Sequence, residues 1–268
     1  MMTGNQADPD IIVECHALIE AKALQTERPK PIATFKNVVD MIEIGIFGLG
    51  FVQHYPHEQV QLAAFNLLMV FCAVCPLEIL EGQMKQAALR YADLAFFILP
   101  WEDEGKEAHT ETDSNSLAPR PRFCLHCDVH FCKLKGSSAC LAKWRDQPLY
   151  SHSREACLDV VLLLAHLGEL DNVFAEGVSI ASALPNADAM YFETNQFLHI
   201  PMCEEAKELY VFWAMEAHTL PKGLHSWSIS PDKPLTTDAI GVHLCKAAQA
   251  AGLIGYTPYA LCCLLINV

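Results

Sequence analysis

Residues 57–75 constrain the fold more than any other segment: they are almost wholly apolar, contain neither Gly nor Pro, and stop at Pro76. A run that is apolar on every side predicts a central helix buried all round, rather than an amphipathic helix lying on a surface. Such a helix needs partners. The 268 residues, 52% of them apolar, can supply a core for one or two domains, and global disorder is excluded. The same run does not predict a membrane span, because its greasiest stretch, 62–77, is interrupted by Asn66 and Pro76. It also falls short of the roughly 20 residues that a bilayer crossing requires. Asp8, Asp10 and Glu14 stand where a signal peptide would need basic and then apolar residues, so the chain reads as intracellular.

Around that helix the coarse pattern predicts mainly α structure with one small antiparallel β-sheet, an α+β class. Apolar spacing at Ile11, Ile12, Cys15, Leu18 and Ile19 predicts a short helix, ended by Pro29 and Pro31. Thr34 is a suitable N-cap for a helix through Val38, Ile42 and Ile46, with Gly45, Gly48 and Gly50 blurring its far end. Pro76 should end or bend the central helix, and 78–81 should open another turn. Residues 92–99 predict a strand and 102–121 an acidic solvated loop. Residues 123–134 and 139–149 then form a hairpin about the turn Lys135-Gly136-Ser137-Ser138. Three further helices are predicted over 157–170, 206–217 and 236–251.

Charge bears directly on partners. Lys and Arg number 18 against 32 Asp and Glu, a formal net charge of −14 with only six arginines. A protein that follows nucleic acid unaided carries a basic stripe to displace phosphate counterions, so composition alone argues against DNA binding. Twelve cysteines at irregular spacing in a chain of this size predict free thiols rather than a disulfide framework. Cys124, Cys127, His130 and Cys132 have zinc-ligand chemistry, yet only Cys140 follows them as a further ligand. On a strand, moreover, Cys124 and Cys127 point to opposite faces. No metal or cofactor is therefore expected, and Cys72 and Cys75 read as core thiols. The sequence holds no phosphate-binding glycine loop, nucleophile elbow or kinase signature.

Six segments, in order, carry a family resemblance. They are Glu27-Arg-Pro-Lys-Pro-Ile-Ala-Thr34, Pro56-His-Glu-Gln-Val-Gln-Leu-Ala-Ala64, Leu89-Arg-Tyr-Ala-Asp-Leu94, Leu134-Lys-Gly136, Ile229-Ser-Pro-Asp-Lys-Pro-Leu235 and Tyr256-Thr-Pro-Tyr-Ala-Leu261. Together they resemble the catalytic domain of the fungal tyrosine-recombinase-like family, which includes FluG-type domain proteins and the captain recombinases of giant mobile elements. The resemblance implies a recombinase-like catalytic domain over 27–268, incomplete at its C-terminus, after a remnant of a DNA-binding domain at 1–26. It implies DNA as partner, a nuclear location, and transesterification by a tyrosine nucleophile. In that chemistry two arginines clamp the phosphate and a hairpin lysine protonates the leaving oxygen.

The sequence departs from the family at the positions that matter most. A Thr-Gly-x-Arg-Pro-Gly-Glu type box reads Cys72-Ala-Val-Cys75-Pro-Leu-Glu78, so Cys75 stands at the first arginine. A Tyr-Ala-Leu-Arg-Arg-Gly type box reads Tyr259-Ala-Leu-Cys262-Cys263, so Cys262 stands at the second. Lys135 survives at the hairpin, Glu78 follows the first box, and the resemblance places the nucleophile beyond Val268. The expectation is a degenerate domain without strand transfer and with at most weak DNA contact, its vestigial positions being Cys75, Glu78, Lys135, Tyr259 and Cys262. The alternative is a helical interaction module that pairs with an intact recombinase or with itself. Cytosine deamination converts CGT and CGC arginine codons to cysteine, and on the other strand yields histidine. It would therefore account jointly for twelve Cys, twelve His and six Arg.

Overall fold

The computed structural model describes residues 34–48, 56–80, 88–100, 123–131, 145–151, 155–183, 197–219 and 225–253. The chain divides into two units, Met1–Ile32 and Ala33–Val268, and every described residue belongs to the second. The helix expected over 11–19 and the loop at 102–121 lie outside the described residues.

Helix α1 (Phe35–Asp40) begins where its cap predicts: the Thr34 hydroxyl accepts from the Asn37 N–H at 3.3 Å, and Asn37 Oδ1 accepts from the Thr34 N–H at 2.9 Å. It continues as a π-helical turn over Met41–Ile46. Gly45 has a steric reason there, since a Cβ would lie 2.3 Å from the Ala247 carbonyl oxygen of the last helix. A glycine that looks like a helix breaker in sequence is a point of close approach.

The central helix α2 (Pro56–Cys72) is buried on all sides, with only Pro56, Gln59 and Phe71 escaping full burial. Most of its polar side chains are tied to other elements, while Asn66 donates to the Leu62 carbonyl one turn back at 2.6 Å and its Oδ1 is buried without a partner. His57 meets Asp171 at 2.8 Å and Glu58 meets His243 at 2.6 Å, while Gln59 donates to the Ile46 carbonyl at 2.9 Å. Gln61 accepts the Trp213 backbone N–H at 2.6 Å. The helix ends three residues earlier than its apolar run, at Cys72, because Ala73 turns left-handed with φ 53°. Pro76 then opens the short helix α3 (Pro76–Ile79) as its first residue, where the missing N–H costs nothing.

Strands β1 (Leu94–Pro100), β2 (Phe123–Phe131), β3 (Arg145–Tyr150) and β4 (Leu198–Ile200) form an antiparallel sheet in the order β3-β2-β1-β4. The β2–β3 pairing agrees with the expected hairpin. Phe96, Ile98, Leu125, Val129, Phe131 and Ile200 turn inward to the core that also holds α2 and α4 (Val160–Leu170). Asp159 caps α4, its Oδ1 accepting the N–H groups of Val161 and Leu162, both at 3.0 Å.

The helix expected over 206–217 does not form. A 3-10 turn at Glu205–Glu208 leads instead into strand β5 (Trp213–Thr219), which pairs antiparallel with β6 (His225–Pro234) in a second sheet. Ala206, Leu209, Tyr210 and Trp213 imitate a helical period, but distant chain claims their backbone. The Tyr91 N–H donates to the Leu209 carbonyl and the Val211 N–H to the Leu89 carbonyl, each at 3.0 Å. Helix α5 (Thr237–Ala250) follows within the helix expected over 236–251, and the Thr236 hydroxyl caps it by accepting the Ala239 N–H at 3.2 Å. The class is α+β, with more strand than the sequence indicates.

Candidate functional site

The junction after α2 holds two of the residues that the family resemblance singles out, Cys75 and Glu78. Cys75 is half-buried in extended backbone at the start of α3, and its N–H donates to Glu78 Oε2 at 2.7 Å. Glu78 is thus folded back as a helix cap, three residues into the helix, where its charge also suits the positive end of the helix dipole. Lys135, Tyr259, Cys262 and Cys263 lie outside the described residues. The structure therefore brings Cys75 and Glu78 together and leaves the vestigial positions Lys135, Tyr259 and Cys262 without a placement.

Sequence reasoning missed the cation beside this junction. Arg145, the first residue of β3, donates from Nη2 to the Cys72 carbonyl at the end of α2, and its guanidinium carbon lies 5.5 Å from the Phe131 ring centre. Its Nε is buried without a hydrogen-bond partner, and no described carboxylate forms an ion pair with it. A guanidinium at a helix C-terminus neutralises the negative end of the dipole, so Arg145 holds β3 against α2. Beneath it the Cys72 thiol is pushed up to about 12 by burial, an effect that the positive charge of Arg145 only partly opposes. Such a thiol stays neutral at physiological pH.

A second cluster is fully enclosed. Asp171, just past the end of α4, receives the Tyr91 hydroxyl on Oδ2 at 2.5 Å and faces His57 Nε2 through Oδ1 at 2.8 Å. The His57 and Asp171 side chains are 3% and 4% exposed. Burial, then the Asp171 charge and its hydrogen bond, hold the Tyr91 hydroxyl well above its usual range. The arrangement orders a His–Asp pair as hydrolases do, but Tyr91 is itself 0% exposed and no substrate could reach it. Its work is to join α2, the turn before β1 and the end of α4.

The zinc-like segment lies on β2. Cys127 is fully buried on the inner face and Cys124 is half-buried on the outer one, so the pair cannot converge on one ion. Burial, with Asp128 and Cys72 contributing, holds the Cys127 thiol well above its usual range. Among the described residues, Glu43, Glu155 and Cys157 form the one group of three metal-type donors with ligand atoms within 4.8 Å of one another. The Glu43 carboxyl is raised chiefly by a hydrogen bond with Glu155, with burial and the charge of Glu155 adding to it. Burial raises the Cys157 thiol as well, which disfavours the thiolate that a metal would require. No helix among the described residues is long and apolar enough to cross a membrane.

Family models, curated proteins and solved structures were all compared with this chain, and none matches it.

Proposed function

We propose that this chain is a recombinase-derived domain that has lost strand-transfer chemistry and retains at most weak contact with DNA. The observation that carries the reading is Cys75: the position aligned with the family's first clamp arginine bears a thiol, at a helix start whose neighbouring Glu78 is engaged as a cap. A neutral thiol offers no charge and no planar pair of donors to a phosphate in its transition state. Loss of a comparable arginine in phosphoryl transfer costs about 10³ to 10⁵ in rate. Cys262 at the second arginine position compounds the loss, and Lys135 alone would leave the phosphate without its clamps. The order of elements supports the reading: a long helix, a break carrying the box, then a strand and a hairpin.

The test uses the full chain and a nicked DNA substrate that traps covalent intermediates. Neither the wild type nor the double variant Cys75→Arg/Cys262→Arg should yield a protein–DNA adduct on denaturing gels, and an adduct from either overturns the proposal. Gel shifts across a salt series check the residual contact: weak binding that fades steeply with salt is expected. Absence of binding at low salt removes that part of the reading.

A further inference from the structure

The outward face of the four-stranded sheet carries a continuous row of rings. Strand register aligns Tyr150, His126, Phe97 and His199, one from each of β3, β2, β1 and β4. Successive ring centres are 4.5, 5.8 and 5.2 Å apart. The ends of the row reach solvent, with Tyr150 46% exposed, His199 exposed and Phe197, two residues before it, 70% exposed, whereas His126 within the row is only 6% exposed. His126 is packed between Phe97 and Tyr150 with Nδ1 lacking a hydrogen-bond partner.

Two carboxylates flank the row. Asp128 faces His126 Nε2 at 2.8 Å and exposed Asp146 faces His130 Nδ1, in both cases through Oδ1. Oδ2 of each is engaged by no described residue. The described outward positions of the sheet include neither Lys nor Arg, since Arg145 turns inward over Phe131.

We infer that this face binds an arginine-bearing basic segment of a partner protein. A guanidinium stacks flat on an aromatic ring while its edge donates to a carboxylate, and this face presents both within one patch. Bases of a single strand could stack on the same rings, but among the described residues of this face their phosphates would meet two carboxylates and neither Lys nor Arg, which disfavours nucleic acid. The net charge of −14 steers basic partners toward the chain. This surface is independent of the recombinase-derived reading, so the outcome of the DNA assays leaves it untouched.

The experiment measures fluorescence anisotropy of the full chain with three labelled probes at physiological salt: a peptide of alternating Arg and Gly, the same peptide with Lys for Arg, and oligo(dT). The arginine peptide should bind more tightly than the lysine peptide, and oligo(dT) least. Tyr150→Ala and the isosteric pair Asp128→Asn/Asp146→Asn should each weaken arginine-peptide binding by about tenfold or more. The pair Asp40→Asn/Asp238→Asn removes the same charge from α1 and α5 and should leave binding unchanged. Thermal melts establish that each variant is folded, and the isosteric pair keeps the test decisive if Tyr150→Ala is not. Equal loss from the two Asn pairs, equal binding of the arginine and lysine peptides, or preference for oligo(dT) overturns the inference.

Discussion

Phe96 and Phe97 are adjacent on β1 and lead opposite lives. Phe96 is fully buried, its ring meeting Phe174 edge-on at 5.6 Å, whereas Phe97 is half-buried between the imidazoles of His126 and His199. The same division runs through β2, where Cys127 and Val129 face the core and Cys124, His126 and Asp128 face outward. One face therefore consists of side chains that only packing explains. The other carries rings, imidazoles and carboxylates that the core does not need. Stability should reside on the inner face and recognition on the outer one.

The largest expected effect tests that division directly. Phe96→Ala should cost about 3–5 kcal/mol of unfolding free energy, from lost transfer energy and the cavity left behind. Phe97→Ala should cost about 1 kcal/mol, the scale of its aromatic contacts. Urea denaturation of both variants measures the difference, and equal losses would mean that the outer face is part of the core.

Confined to high pH is the alkaline behaviour of the inner thiols. The folded Cys72 thiol stands at about 12 against an ordinary 9, so the unfolded chain ionises first as pH rises. The stabilisation is complete below pH 9 and is lost as pH climbs toward 12, with this group contributing a slope of up to about 1.4 kcal/mol per pH unit. Replacing Cys72 by Ala should flatten that slope in melts taken over this window, and an unchanged slope would place its origin elsewhere. The smallest perturbation separates the two thiols of β2. A thiol reagent applied to the native protein should label Cys124 well before Cys127, whose access requires local opening, and peptide mapping of a time course reads the order. Simultaneous labelling would show that β2 is not held as a two-faced strand.

Much of the helical framework could be read locally. Thr34 and Thr236 announce their helices because a cap is a contact between residues three apart, and Pro76 marks a boundary through its own ring. The β2–β3 pairing was legible from apolar alternation and a polar turn. Ser226-Trp-Ser-Ile-Ser230 alternates just as clearly and was a signal for β6 that the helical-looking run before it obscured. The candidate site was legible only as residue types: the box with Cys75 and Glu78 could be found, but not the engagement of Glu78 as a cap. Arg145 gave no local sign at all. Its partner, the Cys72 carbonyl, lies 73 residues away.

By itself the sequence determined that residues 57–75 must be surrounded and that the class is α+β. Each of these follows from side-chain chemistry and short-range periodicity. Tertiary structure alone decided that 206–217 would yield a turn and a strand, because Leu89 and Tyr91 bond to its backbone across the chain. It decided as well that Tyr150, His126, Phe97 and His199 would share one row. Register between strands is set by the joint burial of their inner faces, and no single strand carries that information.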